Sequence, residues 1–144
     1  MKVIYDISTI KRALSKVVLV IGIFDGMHRG HQKLIRRACW AAKKIKGKAA
    51  LLTFHPHPVQ ILRPECYLPY IVSLPYRLKL IEQMGVDVCI VQKFNKRFSQ
   101  FSPKDFIEKY LLTFIHPVEI IVGEDFRFGH DREGDLNTFK KIGE

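Results

Sequence analysis

Residues 17–31 read VVLVIGIFDGMHRGH, and this stretch decides the fold. Its first five residues form an uninterrupted apolar run, typical of a strand buried on both faces. Three glycines and two histidines follow within residues 22–31, where a helix begins. Glycine permits positive φ and lets a ligand approach the backbone, and the amides at a helix N-terminus hold anions. The stretch therefore predicts a phosphate-binding loop between a buried strand and a helix.

Strand-like and helix-like segments alternate along the rest of the chain. The strand-like segments are 3–5, 49–54, 86–91 and 118–122. Helical apolar spacing occupies 34–45, 73–84 and 102–114, and a last helix begins after Asp135. This alternation predicts an α/β fold, a Rossmann-like doubly wound parallel sheet covered on both faces and joined by right-handed crossovers.

Glycine, proline and serine mark the predicted boundaries. Gly47 ends the first helix from the C′ position. Ser73 and Ser102, each followed closely by a proline, predict helix N-caps. Residues 59–71 and 92–100 are expected to be irregular.

Length and composition favour a single domain over residues 1–144, because 144 residues with 47% hydrophobic content can bury one core. No apolar run approaches the roughly 20 residues of a membrane span, and no secretory pattern opens the chain. We expect a cytoplasmic protein without a membrane partner. Cys39, Cys66 and Cys89 are widely spaced and predict free thiols.

The formal charge of +10, with a pI near 9.7, is compatible with two kinds of partner. The positive charge could attract nucleic acid. However, many of the lysines lie in helical contexts, and no stripe of the sequence alternates cationic with aromatic residues, as proteins that bind single strands require. A positive field that attracts polyphosphate ligands accounts for the charge equally well and agrees with the glycine-histidine loop. Nucleic acid is therefore the less favoured partner.

Three unusual loops each follow a predicted strand: residues 22–31, the HPHP of 55–58, and the GEDFRFG of 123–129. The carboxyl ends of parallel strands share one edge of a sheet, where ligands bind. In the first loop, His28 and His31 can share one face of the first helical turn. They could bind phosphate and stabilise charge at phosphorus, form part of a zinc site that needs a third ligand, or cap the helix.

Several motifs of the sequence together resemble those of a known family. The pattern G-x-F-D-G-x-H-x-G-H at residues 22–31 resembles the signature of the H-x-G-H nucleotidyltransferases. The chain resembles more narrowly the N-terminal FMN adenylyltransferase module of bacterial bifunctional riboflavin kinase/FAD synthetases. That narrower resemblance rests on T-F-x-P-H-P at 53–58, G-x-D-F-x-F-G at 123–129 and R-x-G-D at 132–135.

The resemblance implies transfer of AMP from ATP to the phosphate of FMN, giving FAD and pyrophosphate with Mg²⁺, by in-line attack and without a covalent intermediate. It implies catalytic roles for His28 and His31, and no protein ligand for Mg²⁺ is identified. The implied ATP-binding residues are Gly22, Phe24, Asp25, Gly26, His28, Gly30 and His31.

The implied flavin-binding residues are Phe54, Pro56, Pro58, Asp125 and Phe128. Each has a simpler alternative: a core phenylalanine beside a structural turn, or an aspartate that caps a turn. Arg132 could contact a phosphate or lie exposed in a loop.

Members of the resembled family continue into a serine- and threonine-rich motif ending in arginine, similar to I-S-S-T-x-I-R, and then into a riboflavin kinase domain. Neither occurs in residues 1–144. We therefore expect an adenylyltransferase domain truncated at its C-terminus, without kinase activity and with little or no turnover in isolation. The alternative is a catalytically incomplete protein that binds nucleotides or nucleic acid on the same fold.

Overall fold

The structure is a computed structural model that describes residues 1–12, 14–56, 58–63, 65, 73–123, 129 and 134–143. Its centre is a five-stranded sheet in which every pair of neighbours is parallel. The strands are β1 Lys2–Ile4, β2 Val17–Ile21, β3 Lys48–His55, β4 Val88–Lys93 and β5 Glu119–Val122. They lie in the order β1-β4-β3-β2-β5.

The helices fall between the strands, except α6, which follows β5. They are α1 Arg29–Lys44, α2 Pro58–Leu62, α3 Leu74–Gln83, α4 Lys96–Ser99, α5 Pro103–Asp105 and α6 Leu136–Gly143, with a π-helix Phe106–Ile115 continuing α5 and a 3-10 turn at Ile7–Thr9. Both predicted serine caps are confirmed, because Ser73 Oγ accepts from the N–H of Tyr76 and Ser102 Oγ from the N–H of Asp105.

Two hydrophobic cores cover the two faces of the sheet. Along β2, Val17, Leu19 and Ile21 enter one core, which the π-helix and Phe139 of α6 complete. Val18 and Val20 enter the other core with side chains of α1 and α3. Alternate side chains of a strand point to opposite faces, so a strand packed on both sides must be apolar throughout. The predicted doubly wound parallel sheet is confirmed.

The predicted position of the end of α1 is wrong, and so are the two segments predicted to be irregular. The residue in the left-handed conformation after α1 is Lys46 (φ 55°), not Gly47. Gly47 serves a different purpose, because a Cβ there would lie 2.0 Å from the carbonyl oxygen of Lys16. Residues 59–71 begin as helix α2, and residues 92–100 contain the end of β4 and helix α4, which is capped by Asn95. These elements are too short for apolar periodicity to reveal them.

The strand order indicates at which edge of the sheet a ligand can bind. From β2 the chain moves outward through β3 to β4, whereas β5 lies on the opposite side of β2. This reversal forms a crevice beyond the carboxyl ends of β2 and β5, where open α/β sheets bind ligands. The loop of residues 22–28 and Gly123 leave the sheet at this crevice. Within the described residues, no helix has the combined length and hydrophobicity that crossing a bilayer requires.

Candidate functional site

The loop after β2 has an unusual backbone. Phe24, Gly26 and Met27 all have positive φ, at 58°, 84° and 47°. For a residue other than glycine this conformation costs about 1–2 kcal/mol, so surrounding contacts must hold it. Phe24 and Met27 are almost completely buried, in the core that α1 covers. Gly22 makes room for this arrangement, because a Cβ there would lie 2.9 Å from the Phe24 ring.

Side chains from two other elements hold the same loop. The hydroxyl of Thr53, on β3, donates to the carbonyl of Ile23 at 2.8 Å. The amide nitrogen of Gln32, on α1, donates to the carbonyl of Met27 at 2.9 Å. Sequence reasoning missed both roles. The available signal for Thr53 was a hydroxyl residue inside an otherwise apolar buried strand.

His28 is the N-cap of α1. Its Nδ1 accepts from the N–H groups of Gly30 and His31 at 3.1 and 3.4 Å. A neutral imidazole that accepts at Nδ1 carries its proton on Nε2. Capping therefore leaves an exposed N–H donor at the helix N-terminus, so the capping and phosphate-binding interpretations of His28 are compatible. Gly30 accommodates the ring, since a Cβ there would lie 3.1 Å from His28 Cε1.

His31 lies against His28 and on Phe24. The two imidazoles stack with centroids 3.5 Å apart and planes 24° apart, and the Phe24 ring meets His31 edge-on at 5.2 Å. Burial, and secondarily the neighbouring His28, lower the pKa of His31 to about 4, although Asp25 opposes the shift. His31 is therefore neutral near pH 7. Because His31 is neutral, the stacked pair at the helix N-terminus can donate hydrogen bonds to an anion without the mutual repulsion of two cations.

The predicted ATP-binding residues are thus brought together in one loop and the first turn of α1. Gly22, Asp25 and Gly26 are half-buried, whereas His28 and Gly30 are exposed. Phe24, at 1% exposure, lies beneath the loop and supports His31. In the described part of the chain, no group of three or more His, Cys, Asp or Glu side chains could hold a metal ion.

The loop after β3 has an aromatic foundation. Phe54 is 6% exposed and contacts the rings of Phe94, Phe98 and Phe106, with centroids 5.8–6.4 Å apart. We call these four residues the aromatic cluster. Phe54 also belongs to one of the two main cores, which agrees with the alternative of a core phenylalanine. The half-buried Pro56 and Pro58 follow it, after a cis bond between His55 and Pro56.

The third predicted loop begins at Gly123, which is half-buried at the end of β5. Asp125, Phe128 and Arg132 lie outside the described residues, and their predicted roles stay predictions. The same is true of Cys66, whereas Cys39 and Cys89 are free thiols. Burial raises the pKa of Cys89 to about 12, so this thiol is not a reactive group.

Comparisons with known proteins agree with this geometry. A family model described as FAD synthetase matches residues 10–144. A curated relative from Buchnera aphidicola subsp. Acyrthosiphon pisum is 38% identical over 99% of this chain and 46% of its own length. Relatives from Bacillus subtilis and Escherichia coli are 38% and 31% identical, over 90% and 99% of this chain and 41% and 46% of their own lengths. All three are named bifunctional riboflavin kinase/FMN adenylyltransferase.

A solved structure confirms the fold. A crystal structure titled as a macrolide-efflux protein from Streptococcus pneumoniae superposes with a TM-score of 0.82 at 26% identity. The match covers 97% of this chain and 47% of that one. The chain therefore spans about half the length of the relatives and of the solved structure that it matches.

Proposed function

Because the chain belongs to the FAD synthetase family, we propose that it transfers the adenylyl group of ATP to the phosphate of FMN, giving FAD and pyrophosphate. The observation that carries this proposal is the stacked His28–His31 pair at the N-terminus of α1, in the crevice beyond β2 and β5. The names of the curated relatives, which include FMN adenylyltransferase, support it. A riboflavin kinase domain and a cytoplasmic location are part of the proposal for the full-length protein.

The reaction is a direct transfer at phosphorus. An oxygen of the FMN phosphate forms a bond to the α-phosphorus of ATP, while the bond from that phosphorus to the bridging oxygen of the β-phosphate breaks. Pyrophosphate leaves with the electron pair of the broken bond. No protein atom becomes covalently linked, so the protein contributes orientation and stabilisation of charge.

His28 and His31 supply that stabilisation in the proposed mechanism. The Nε2–H of His28 donates to a phosphate oxygen of ATP, while Nδ1 stays engaged with the helix backbone. His31 is kept neutral and in place by its contacts with His28 and Phe24. Gly22, Gly26 and Gly30 let the triphosphate approach the loop, and the helix dipole adds a partial positive charge.

The flavin lies beside the loop after β3 in this proposal. Pro56 and Pro58 supply a rigid wall for a flat ring, and Phe54 supports that wall from the core. Rigid apolar groups lose little entropy on binding. Asp125 and Phe128 are proposed to complete the flavin site, and Arg132 is proposed to contact a phosphate.

In this proposal Mg²⁺ would enter the site bound to the substrate ATP. The described residues contain no cluster of metal ligands, and Mg²⁺ commonly keeps water and binds mainly to nucleotide phosphates. When bound there, it supplies charge neutralisation. Asp25, the half-buried carboxylate of the loop, lies close enough to His31 to raise the pKa of that imidazole.

The test is FAD formation from FMN and Mg·ATP by the full-length protein and by its His28→Ala and His28→Asn variants. Both variants remove the Nε2 donor, and we expect kcat/KM to fall by about 10²–10³-fold in each. Asparagine is an effective N-cap, so only the alanine variant should also lose about 1 kcal/mol of stability. A native protein that binds nucleotide without forming FAD would instead favour the binding-protein alternative.

A further inference from the structure

Residues 24–27 form a turn whose two ends are tied to the protein by side chains. At one end the Thr53 hydroxyl binds the carbonyl of Ile23, and at the other the Gln32 amide binds the carbonyl of Met27. Thr53 is completely buried and Gln32 is half-buried. The two donors come from different elements, β3 and α1, so the loop is held between the sheet and the helix.

These bonds determine where two backbone N–H groups point. In a trans peptide the carbonyl of one residue and the N–H of the next point in opposite directions. The Phe24 N–H therefore points away from Thr53, and the His28 N–H points away from Gln32. In the described part of the chain, neither N–H donates a hydrogen bond. His28 is itself the N-cap of α1 and the Phe24 ring contacts His31, and a helix N-terminus favours negative charge.

From this arrangement we infer that Thr53 and Gln32 are positioning residues, which hold the Phe24 and His28 amides as donors to the phosphates of the nucleotide. The inference rests on the proposed function for the identity of the anion. Neither side chain touches the anion itself. Backbone amides aligned in a turn with left-handed residues form an anion-binding concavity. We call the hydrogen bonds from Thr53 to Ile23 and from Gln32 to Met27 the two clamps, and they keep these amides aligned before the ligand binds.

The experiment measures binding of inorganic pyrophosphate by calorimetry, together with the ¹⁵N–¹H resonances of Phe24 and His28. The variants are Thr53→Val, which keeps the shape and loses the hydroxyl, Thr53→Ser, which keeps the hydroxyl, and Gln32→Met. We expect Thr53→Val and Gln32→Met each to weaken binding about tenfold, the effect of leaving a carbonyl without its donor. Thr53→Ser should bind within about twofold of the native protein, because it restores that donor.

The resonances separate positioning from general stability. In Thr53→Val we expect the Phe24 amide signal to move, and in Gln32→Met the His28 amide signal. Unchanged pyrophosphate affinity in both variants would overturn the inference, even if the melting temperature falls. If Thr53→Val does not fold, Gln32→Met decides the question, because Gln32 is only half-buried whereas Thr53 is completely buried.

FAD formation is measured with the same substitutions in the full-length protein. Weakened pyrophosphate binding in the variants, with no FAD formed by the full-length native protein, would support the two clamps and reject the proposed reaction. FAD formed equally well by all variants would support the reaction and reject the clamps. A native protein that binds no pyrophosphate would reject the anion-binding role of the loop.

Discussion

The loops after β2 and β3 leave the same edge of the sheet, but they are held in different ways. The first has three residues with positive φ, two carbonyls bound by Thr53 and Gln32, and a stacked histidine pair. The second follows Phe54, whose ring contacts three other phenylalanine rings. Hydrogen bonds therefore define the first loop, and apolar packing supports the second.

The difference corresponds to the two ends of the proposed reaction. A phosphate needs donors in fixed positions, because hydrogen bonds weaken steeply as their geometry departs from ideal. A flavin ring needs a flat apolar surface, which a rigid wall on a packed core supplies. Changes in the first loop should thus affect activity more than stability, and changes in the aromatic cluster should do the reverse.

The largest expected effect on stability is at Phe54. Phe54→Ala removes a buried ring from the aromatic cluster, and we expect the free energy of unfolding to fall by about 3–5 kcal/mol, measured by urea denaturation. Phe54→Leu should lose less, because most of the volume remains. Tyr76→Ala is the matched control, since Tyr76 is 51% exposed and should change stability by less than about 0.5 kcal/mol. A stable Phe54→Ala protein with weakened FMN binding would instead make Phe54 a ligand contact.

The next effect is the pH dependence that His31 introduces. Its pKa is about 4 in the folded protein and 6.5 in the unfolded chain. The unfolded chain therefore takes up the proton first, and stability falls as the pH drops from about 6.5 to 4. A complete shift corresponds to ~3 kcal/mol, which partial exposure reduces to about 1–2 kcal/mol.

Thermal denaturation between pH 7.5 and 4.5 measures this effect. His31→Gln should lose much less stability over that interval than the native protein, because glutamine does not titrate. His116→Asn is the control, as His116 is an exposed residue with φ of 52°, a conformation that asparagine also accepts. If the native protein and His31→Gln lose the same stability at acid pH, the assignment of this pH dependence to His31 is wrong.

The smallest expected effect is at Gly30. A Cβ there would meet the His28 ring at 3.1 Å from Cε1 and 3.2 Å from Nδ1. In Gly30→Ala the ring must move by a few tenths of an ångström, and we expect activity to fall a few-fold while stability changes by less than ~1 kcal/mol. In a His28→Asn background, where the ring is absent, the change should instead raise stability by up to about 1 kcal/mol, because alanine is the better helix former. An equal effect in both backgrounds would place its cause elsewhere.

Much of the fold could be predicted because it depends on local pattern. The apolar run of β2 and the helical spacing after it predict a buried strand and α1 without reference to the rest of the chain. The starts of α3 and α5 were equally clear, because Ser73 and Ser102 are each followed closely by a proline. The short elements α2 and α4 were missed, because five and four residues do not complete enough turns to show a period.

The residues of the candidate site were easier to predict than the roles that they play. His28 and His31 could be identified from spacing, but spacing does not reveal which nitrogen of His28 accepts the backbone N–H groups. Phe54 is part of the same motif as Pro56 and Pro58, yet its ring belongs to the core. That distinction depends on Phe94, Phe98 and Phe106, which the chain brings in from other elements.

The sequence by itself determined the class of fold, the sequence of strands and helices, and the presence of a histidine pair at the start of α1, because neighbouring residues specify each of these. Tertiary structure decided the strand order, the neutral state of His31 and the two clamps on the loop. Thr53 and Ile23 are 30 residues apart, and the pKa of His31 is shifted chiefly by burial. Contacts and burial of this kind exist only once the sheet, the helix and the loop have packed together.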